Sequence, residues 1–468
     1  MAETLHKTVV LDVVGLTKSL IGEHTPRLKA FLDSGWYRSL DEVFPALTCS
    51  SQAAMLTGTA PCENGVVGNG WYFHDLAEVG FWKQSNALIQ GEKVYEKLKR
   101  ENPGFTCAKM FWWFNMYSAA DWSVTPRPQY PADGRKVFDV YTDPMDLHDE
   151  MIRDLGPFPF FKFWGPGAGL GSSQWIAESA KWIFKKKQPT LSLVYLPHLD
   201  YCLQKFGPGA PEIIPELKSI DKVVGDLLDF YRENQVRVMI VSEYGITKVT
   251  HALHPNRILR KAGYLEIRKS LTWEMLDAGA SQAFAVSDHQ ICHIYVKDKS
   301  KIAEVAALFE KDTAASGTGT RKVLVGEAIR EAGLLHERSG DIILMAEPDT
   351  WYTYYYWEDD RLAPDFARCV DIHRKVGYDP VELFLDPKKP LIKLKMAWTL
   401  LKKILGFRYY MDVIPLSPEL VKGSHGTPAL TADESALIIS EVQSLKPASA
   451  IIPMTGVRDL ILSHVLSE

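Results

Sequence analysis

Short apolar runs alternate with amphipathic stretches through the first half of the chain. TVVLDVVGL is a β-branched apolar run and predicts a buried strand near the N-terminus. TPRLKAFLDSG predicts a capped helix ending at Gly35, and SSQAAMLTG a short helix ending at Gly58. TLSLVYLP and VRVMIVSEYG repeat the strand pattern, and IIPELKSIDKVVGDLLDFYRENQ between them spaces its apolar residues at helical intervals. Strand–helix–strand alternation predicts an α/β fold on a mainly parallel sheet.

The rhythm changes after about residue 282. FAVSDHQICHIYV reads as a strand, KIAEVAALFEK and VGEAIREAG as helices, and GDIILMAEP as a strand leading into the aromatic YTYYYW. This predicts a smaller α+β cap over 283–357, inserted between a first core segment, 1–282, and a return to the core over 358–468. In the last segment ALTADESALIISEVQSL has a helical pattern. KKPLIKLKMAWTLLKKILG is basic and amphipathic, a solvated helix face by default and a peripheral membrane contact as the minority reading. WGPGAGLGSSQWIAES lacks the glycine spacing of a phosphate loop and reads as a surface loop feeding a helix capped near Ser172.

Composition narrows the function classes. With 468 residues, 46% hydrophobic and 24% charged, the chain has the make-up of a soluble globular protein. A formal net charge of −5 provides no global field for polymeric nucleic acid, although a small anion can still find a local positive site. The six cysteines are scattered and read neither as a disulfide framework nor as a zinc knuckle. The polar MAETLHK runs straight into the first strand without a signal-peptide pattern, and no apolar run has the length of a membrane span. A cytoplasmic location is the expectation.

Three acidic residues fall at the ends of the three clearest strands: Asp12, Asp200 and Glu243. Open α/β sheets bind ligands just outside the carboxyl ends of their strands. Three converging carboxylates repel one another unless a cation neutralises them, which favours a metal site over three separate caps. Thr48 opens a predicted short helix. An isolated hydroxyl there is usually an N-cap, but helix amides and a nearby cation also turn such a hydroxyl into a nucleophile. Cys49 is a rival nucleophile with no His close in sequence. Among the histidines, His425 in KGSHGTP and His373 in DIHRKVG are candidates for the nitrogen donor that Zn²⁺ or Mn²⁺ favours.

The run from Phe44 to Asn69, FPALTCSSQAAMLTGTAPCENGVVGN, resembles the nucleophile segment of the type I phosphodiesterase/nucleotide pyrophosphatase family, in the alkaline phosphatase superfamily. Thr48 falls on the nucleophile, Thr57-Gly58 on the following TG, and Asn64-Gly65 where the family often has His-Gly. Asp12 falls on the first-strand metal ligand and Asp200 on the Asp of a D-x-x-x-H element. Ser242-Glu243-Tyr244-Gly245 falls on S-D-H-G, and Ser424-His425-Gly426 resembles the late His-Gly. RSGDIILMAEP resembles a cap element of phosphonoacetate hydrolases.

The resemblance implies an alkaline-phosphatase-like core with a cap and a threonine nucleophile. The implied substrate is a phosphodiester, nucleotide pyrophosphate or phosphonate, with one or two divalent ions (Zn²⁺, Mn²⁺ or Mg²⁺) as cofactor. The ligand set it implies is Asp12, Thr48, Asp200, Glu243 and His425, with Gln204, Tyr244 or His373 in supporting places. Ser51, Asn69, Trp71 and Tyr354 are the implied substrate contacts. The sequence departs from the family at Gln204 and Tyr244, where it has His, at Glu243, where it has Asp, and at Ser51, where Asn is common. These replacements make the site richer in oxygen and favour harder ions or the loss of one ion. The alternatives are a binding protein that keeps the fold, or a hydrolase or transferase for another phosphate or sulfate ester.

Overall fold

A computed structural model describes residues 5–133, 135–316 and 319–467. All six residues of the strand Thr8–Val13 are buried, as their β-branched apolar run requires. This strand lies in a nine-stranded sheet ordered Ile451–Pro453, Trp36–Asp41, Leu437–Ser440, Arg237–Val241, Thr8–Val13, Leu191–Leu196, Cys107–Met110, Trp122–Pro126, Val140–Asp143. The five strands from Arg237–Val241 to Trp122–Pro126 run parallel. The sheet is therefore mainly parallel, as the alternating pattern predicts.

Both faces are covered. Val9, Leu11 and Val13 pack in one core with residues of the helices Leu170–Lys187 and Ile213–Glu233. Val10 packs in another with residues of Thr48–Thr57, Val94–Glu101 and Val457–Leu466. The alternation of side chains along one strand divides the interior into two layers.

Register places the acidic strand ends together. Asp12 is level with Val241 on one side and Tyr195 on the other. Glu243 follows two residues after Val241, and Asp200 lies in the first turn of the helix His198–Phe206 that leaves the other strand.

A second, four-stranded antiparallel sheet is built from Ala283–Asp288, Ile291–Val296, Ile342–Ala346 and Thr320–Val325. The YTYYYW aromatics bury in its core with Phe284, Val286 and Ile294. All six cysteines are unpaired.

Two local readings are corrected. ALTADESALIISEVQSL is not helical: Leu437–Ser440 is a strand, antiparallel to both neighbours and buried along its length. Its Ile438 and Ile439 are β-branched and central in the sheet, and burial outweighs the helical spacing. The helix after the glycine-rich loop begins at Leu170, with Ser172 inside its first turn, so Ser172 is not its cap.

Candidate functional site

Thr48 is the first residue of the helix Thr48–Thr57, and Leu47 holds the capping position without a side-chain bond. The Thr48 hydroxyl is therefore not used as a cap. It lies 3.0 Å from the Tyr244 phenol, which donates to Asp200 Oδ1 at 3.2 Å. Gln204 Nε2 donates to Asp200 Oδ2 at 2.7 Å, and Tyr378 donates to Gln204 Oε1 at 3.0 Å. Both oxygens of Asp200 are thus satisfied by neutral donors.

Asp12 and Glu243 form the other half of the site. Gln52, one turn beyond Thr48, donates to Asp12 Oδ2 at 3.2 Å and Glu243 Oε1 at 2.6 Å. Its Oε1 accepts the Trp113 backbone N–H at 2.7 Å, which fixes the amide's orientation. Asp12 Oδ1 and Glu243 Oε2 are buried without a hydrogen-bond partner. Burial, then the Glu243 charge, raises Asp12 well above the usual carboxylate range. Glu243 is raised as well, chiefly by burial. Two adjacent buried carboxylates hold one negative charge more easily than two, so they share a proton or take a cation.

His425 is buried and stacks on Tyr244, with ring centroids 3.5 Å apart. Its Nδ1 bonds the Ala46 carbonyl at 2.9 Å, which leaves the Nε2 lone pair facing Asp200 Oδ1 at 3.6 Å. Burial, with His289 close by, holds His425 well below its ordinary value, so the ring is neutral. Burial and the Glu243 charge push Asp200 up to about 7.

A pocket of about 40 Å³ opens onto Thr48, Asp200, Tyr244 and His425. Its walls are aromatic: Trp82, Trp113, Phe163, Trp164, Tyr201 and Tyr378.

The family model for type I phosphodiesterase/nucleotide pyrophosphatase matches residues 8–379. The chain belongs to that family. A Schizosaccharomyces pombe protein described as an uncharacterized pyrophosphatase/phosphodiesterase is 22% identical over 215 residues, 43% of this chain. The match spans 36% of the yeast protein's length. Among solved structures, inactive murine ectonucleotide pyrophosphatase/phosphodiesterase 5 in complex with AMP superposes with a TM-score of 0.58 at 12% identity. That match covers 98% of this chain and 95% of the murine one. Phosphonoacetate hydrolase from Sinorhizobium meliloti, in complex with phosphonoacetate, superposes with a TM-score of 0.61 at 13% identity. It covers 99% of this chain and 96% of the other. At these identities the two structures establish the shared fold.

Of the residues expected from sequence, Thr48, Asp200, Tyr244 and His425 line the pocket, Gln204 is one hydrogen bond behind Asp200, and Asp12 and Glu243 lie deeper, linked through Gln52 to the backbone of the wall residue Trp113. His373 does not join them and is not among the residues that line the pocket. Among the described residues no three His, Cys, Asp or Glu side chains form a cluster suited to an ion, so any ion here depends on hydroxyl or amide oxygens as well.

None of the four implied substrate contacts lines the pocket. Ser51 donates to the Glu243 carbonyl, and Asn69 ties Asp288 to the Cys49 amide. Trp71 lies under the Arg338 guanidinium, and Tyr354 is buried in the aromatic core. Cys49 is no rival to Thr48, because burial and the Asp288 and Glu243 charges keep its thiol protonated.

Gln52 was legible in principle, since i and i+4 share a helix face. The aromatic walls come from segments far apart in sequence and carry no local signal.

Glu42 holds the two segments that carry Glu243 and His425. Its carboxyl accepts N–H groups from Gly245 at 3.3 Å, Ala429 at 3.0 Å and Ala436 at 2.7 Å. Burial still pushes it from 4.5 up to about 7. A folded value above the unfolded one means that its contribution to stability is complete below about 4.5 and is lost as pH rises through about 7. Glu42→Gln should therefore lessen the fall in melting temperature across that window. Thermal scans of both proteins at several pH values check this, and equal slopes would refute it.

Proposed function

We propose that this chain is a hydrolase for phosphodiesters, nucleotide pyrophosphates or phosphonates, with Thr48 as nucleophile. The observation that carries this reading is Thr48, which lines the pocket with its hydroxyl free of any capping role and hydrogen-bonded to the Tyr244 phenol that donates to Asp200. Relatives of known structure with the same fold are described with AMP or phosphonoacetate bound, which supports a small phosphorus-containing ligand.

The residues fit one hard divalent cation better than two. Asp12 and Glu243 each keep a buried, unpartnered oxygen, and these two with the Thr48 hydroxyl would hold an ion such as Mg²⁺ or Mn²⁺. Asp200 is already bonded at both oxygens by Gln204 and Tyr244, which leaves it poorly fitted to a second. When bound, the cation supplies positive charge that favours the ionised threonine oxygen.

Thr48 Oγ attacks phosphorus as the bond to the leaving oxygen, or in a phosphonate the bond to the leaving carbon, breaks. The hydroxyl proton passes to the Tyr244 oxygen 3.0 Å away as Tyr244 hands its own proton to Asp200. The positive end of the helix Thr48–Thr57 faces the same place and favours the negative phosphoryl oxygens. Water then cleaves the phosphothreonine and restores the hydroxyl. The aromatic walls exclude bulk water and strengthen each of these electrostatic contacts.

Metal-stripped protein should release little p-nitrophenolate from bis-p-nitrophenyl phosphate. Added Mg²⁺ or Mn²⁺ should restore turnover, with about one ion bound per chain by mass spectrometry. Absence of hydrolysis with Zn²⁺, Mn²⁺ and Mg²⁺ alike would overturn the reading and favour a binding protein.

A further inference from the structure

The helix Ile392–Ile404 and the turn after it present an apolar surface that the catalytic reading does not use. The helix touches the rest of the protein along one stripe: Ile392 and Met396 pack on the cluster of Val249, Trp351 and Val413, and Thr399 is buried. At 3.6 residues per turn, Leu391, Leu394, Trp398, Leu401 and Leu405 form a second stripe on roughly the opposite side. All five are exposed, Leu391 at 75%, Leu394 at 64% and Trp398 at 57%. Ile404 at 80% and Phe407 at 64% extend the same surface. A helix packed on one side is expected to carry polar residues on the other, so this second apolar stripe needs a partner.

Charge identifies the partner. Residues 387–410 contain Lys388, Lys389, Lys393, Lys395, Lys402, Lys403 and Arg408 and no acidic residue, in a chain whose net charge is −5. Lys389 and Lys395 pair with Asp412. Among the described residues Lys388, Lys393, Lys402, Lys403 and Arg408 have no carboxylate partner. Lys402 lies over the Trp398 ring at 5.7 Å, and Lys403 over Tyr409 at 5.6 Å. Cations flanking exposed Trp, Leu and Ile suit an interface in which apolar side chains enter acyl chains and the ammonium groups remain among phosphates. Among the described residues no helix is long and apolar enough to cross a membrane, so the contact is peripheral.

We propose that Ile392–Ile404 and the following turn form a docking surface for a bilayer rich in anionic phospholipid, with the stripe from Leu391 to Leu405 inserted at the interface. The surface is distinct from the catalytic pocket, and the proposal does not depend on the hydrolase reading.

Co-sedimentation of the full chain with vesicles tests it. Vesicles of phosphatidylcholine with about 30 mol% phosphatidylserine should bind the protein, pure phosphatidylcholine far less, and added salt should release it. Trp398→Ser/Leu401→Ser and Lys402→Gln/Lys403→Gln should each weaken binding roughly tenfold, without moving the melting temperature, because these side chains point to solvent. Equal binding to both vesicle types, or unchanged binding by the variants, would overturn the proposal. So would absence of vesicle binding by a wild-type dimer that Trp398→Ser/Leu401→Ser dissociates, which would assign the surface to a second copy.

Discussion

Thr48→Ala is expected to lower the hydrolysis of bis-p-nitrophenyl phosphate by at least about a thousandfold while leaving the fold intact. The substitution removes the attacking oxygen and little else. Tyr244 keeps its bond to Asp200, Gln52 keeps its hold on Asp12 and Glu243, and the helix loses no cap because Leu47 holds that position. One buried hydrogen bond is lost, worth about 1 kcal/mol, so the melting temperature should fall by only a few degrees. Thr48→Ser, which returns a hydroxyl, should recover part of the rate. Saturation kinetics beside a thermal scan separate the effects: the loss should appear in kcat, with KM changed little. If Thr48→Ala turned over at the wild-type rate, attack would come from water directly and the threonine would be a bystander.

The largest effect on stability is expected at Lys375. Its ammonium is buried between Asp379 Oδ2 at 2.7 Å and Glu382 Oε1 at 2.6 Å, with all three side chains at most 2% exposed. Lys375→Met keeps most of the volume but leaves two carboxylates facing each other without a counter-charge. Breaking a buried ion pair in this way costs about 3–5 kcal/mol and should lower the apparent melting temperature by roughly 5–10 °C. Adding Asp379→Asn should recover part of the loss, because the amide removes one stranded charge and can still accept the Val381 N–H. A single variant that melts with the wild type would refute the argument. The variant should also slow turnover, since Glu382 accepts the Trp164 indole N–H and Trp164 is part of the pocket wall. That loss would reach the reacting atoms only through the shape of the wall.

Much of the framework was legible from residue order. TVVLD, LSLVYL and VRVMIV are too apolar and β-branched to lie anywhere but inside a sheet, and the helical stretch between the last two makes their connection a crossover. From that alone Asp12, Asp200 and Glu243 belong near the carboxyl ends of strands in one parallel sheet. The motif around Thr48 placed a hydroxyl at the start of a helix beside them. These features are local, or follow from strand direction, so a single sequence carries them.

Tertiary structure decided the rest. Leu437–Ser440 reads as helix in isolation and becomes a strand because a central slot in the sheet rewards β-branched burial more than local spacing favours a helix. Ser51, Asn69, Trp71 and Tyr354 are near Thr48 in sequence or in the aromatic run, yet packing places none of them on the pocket wall. The residues that do enclose the pocket, from Trp82 to Tyr378, are brought together only by the folded chain. The sequence determined where the candidate groups fall along the sheet and helix, because strand ends and helix starts are set by local pattern. Only the tertiary structure decided which oxygens are satisfied and which are left bare. Gln52 reaches across to Asp12 and Glu243 and leaves one oxygen of each unpartnered, whereas Gln204 and Tyr244 close Asp200, because hydrogen bonds between distant segments depend on distances that no stretch of sequence specifies.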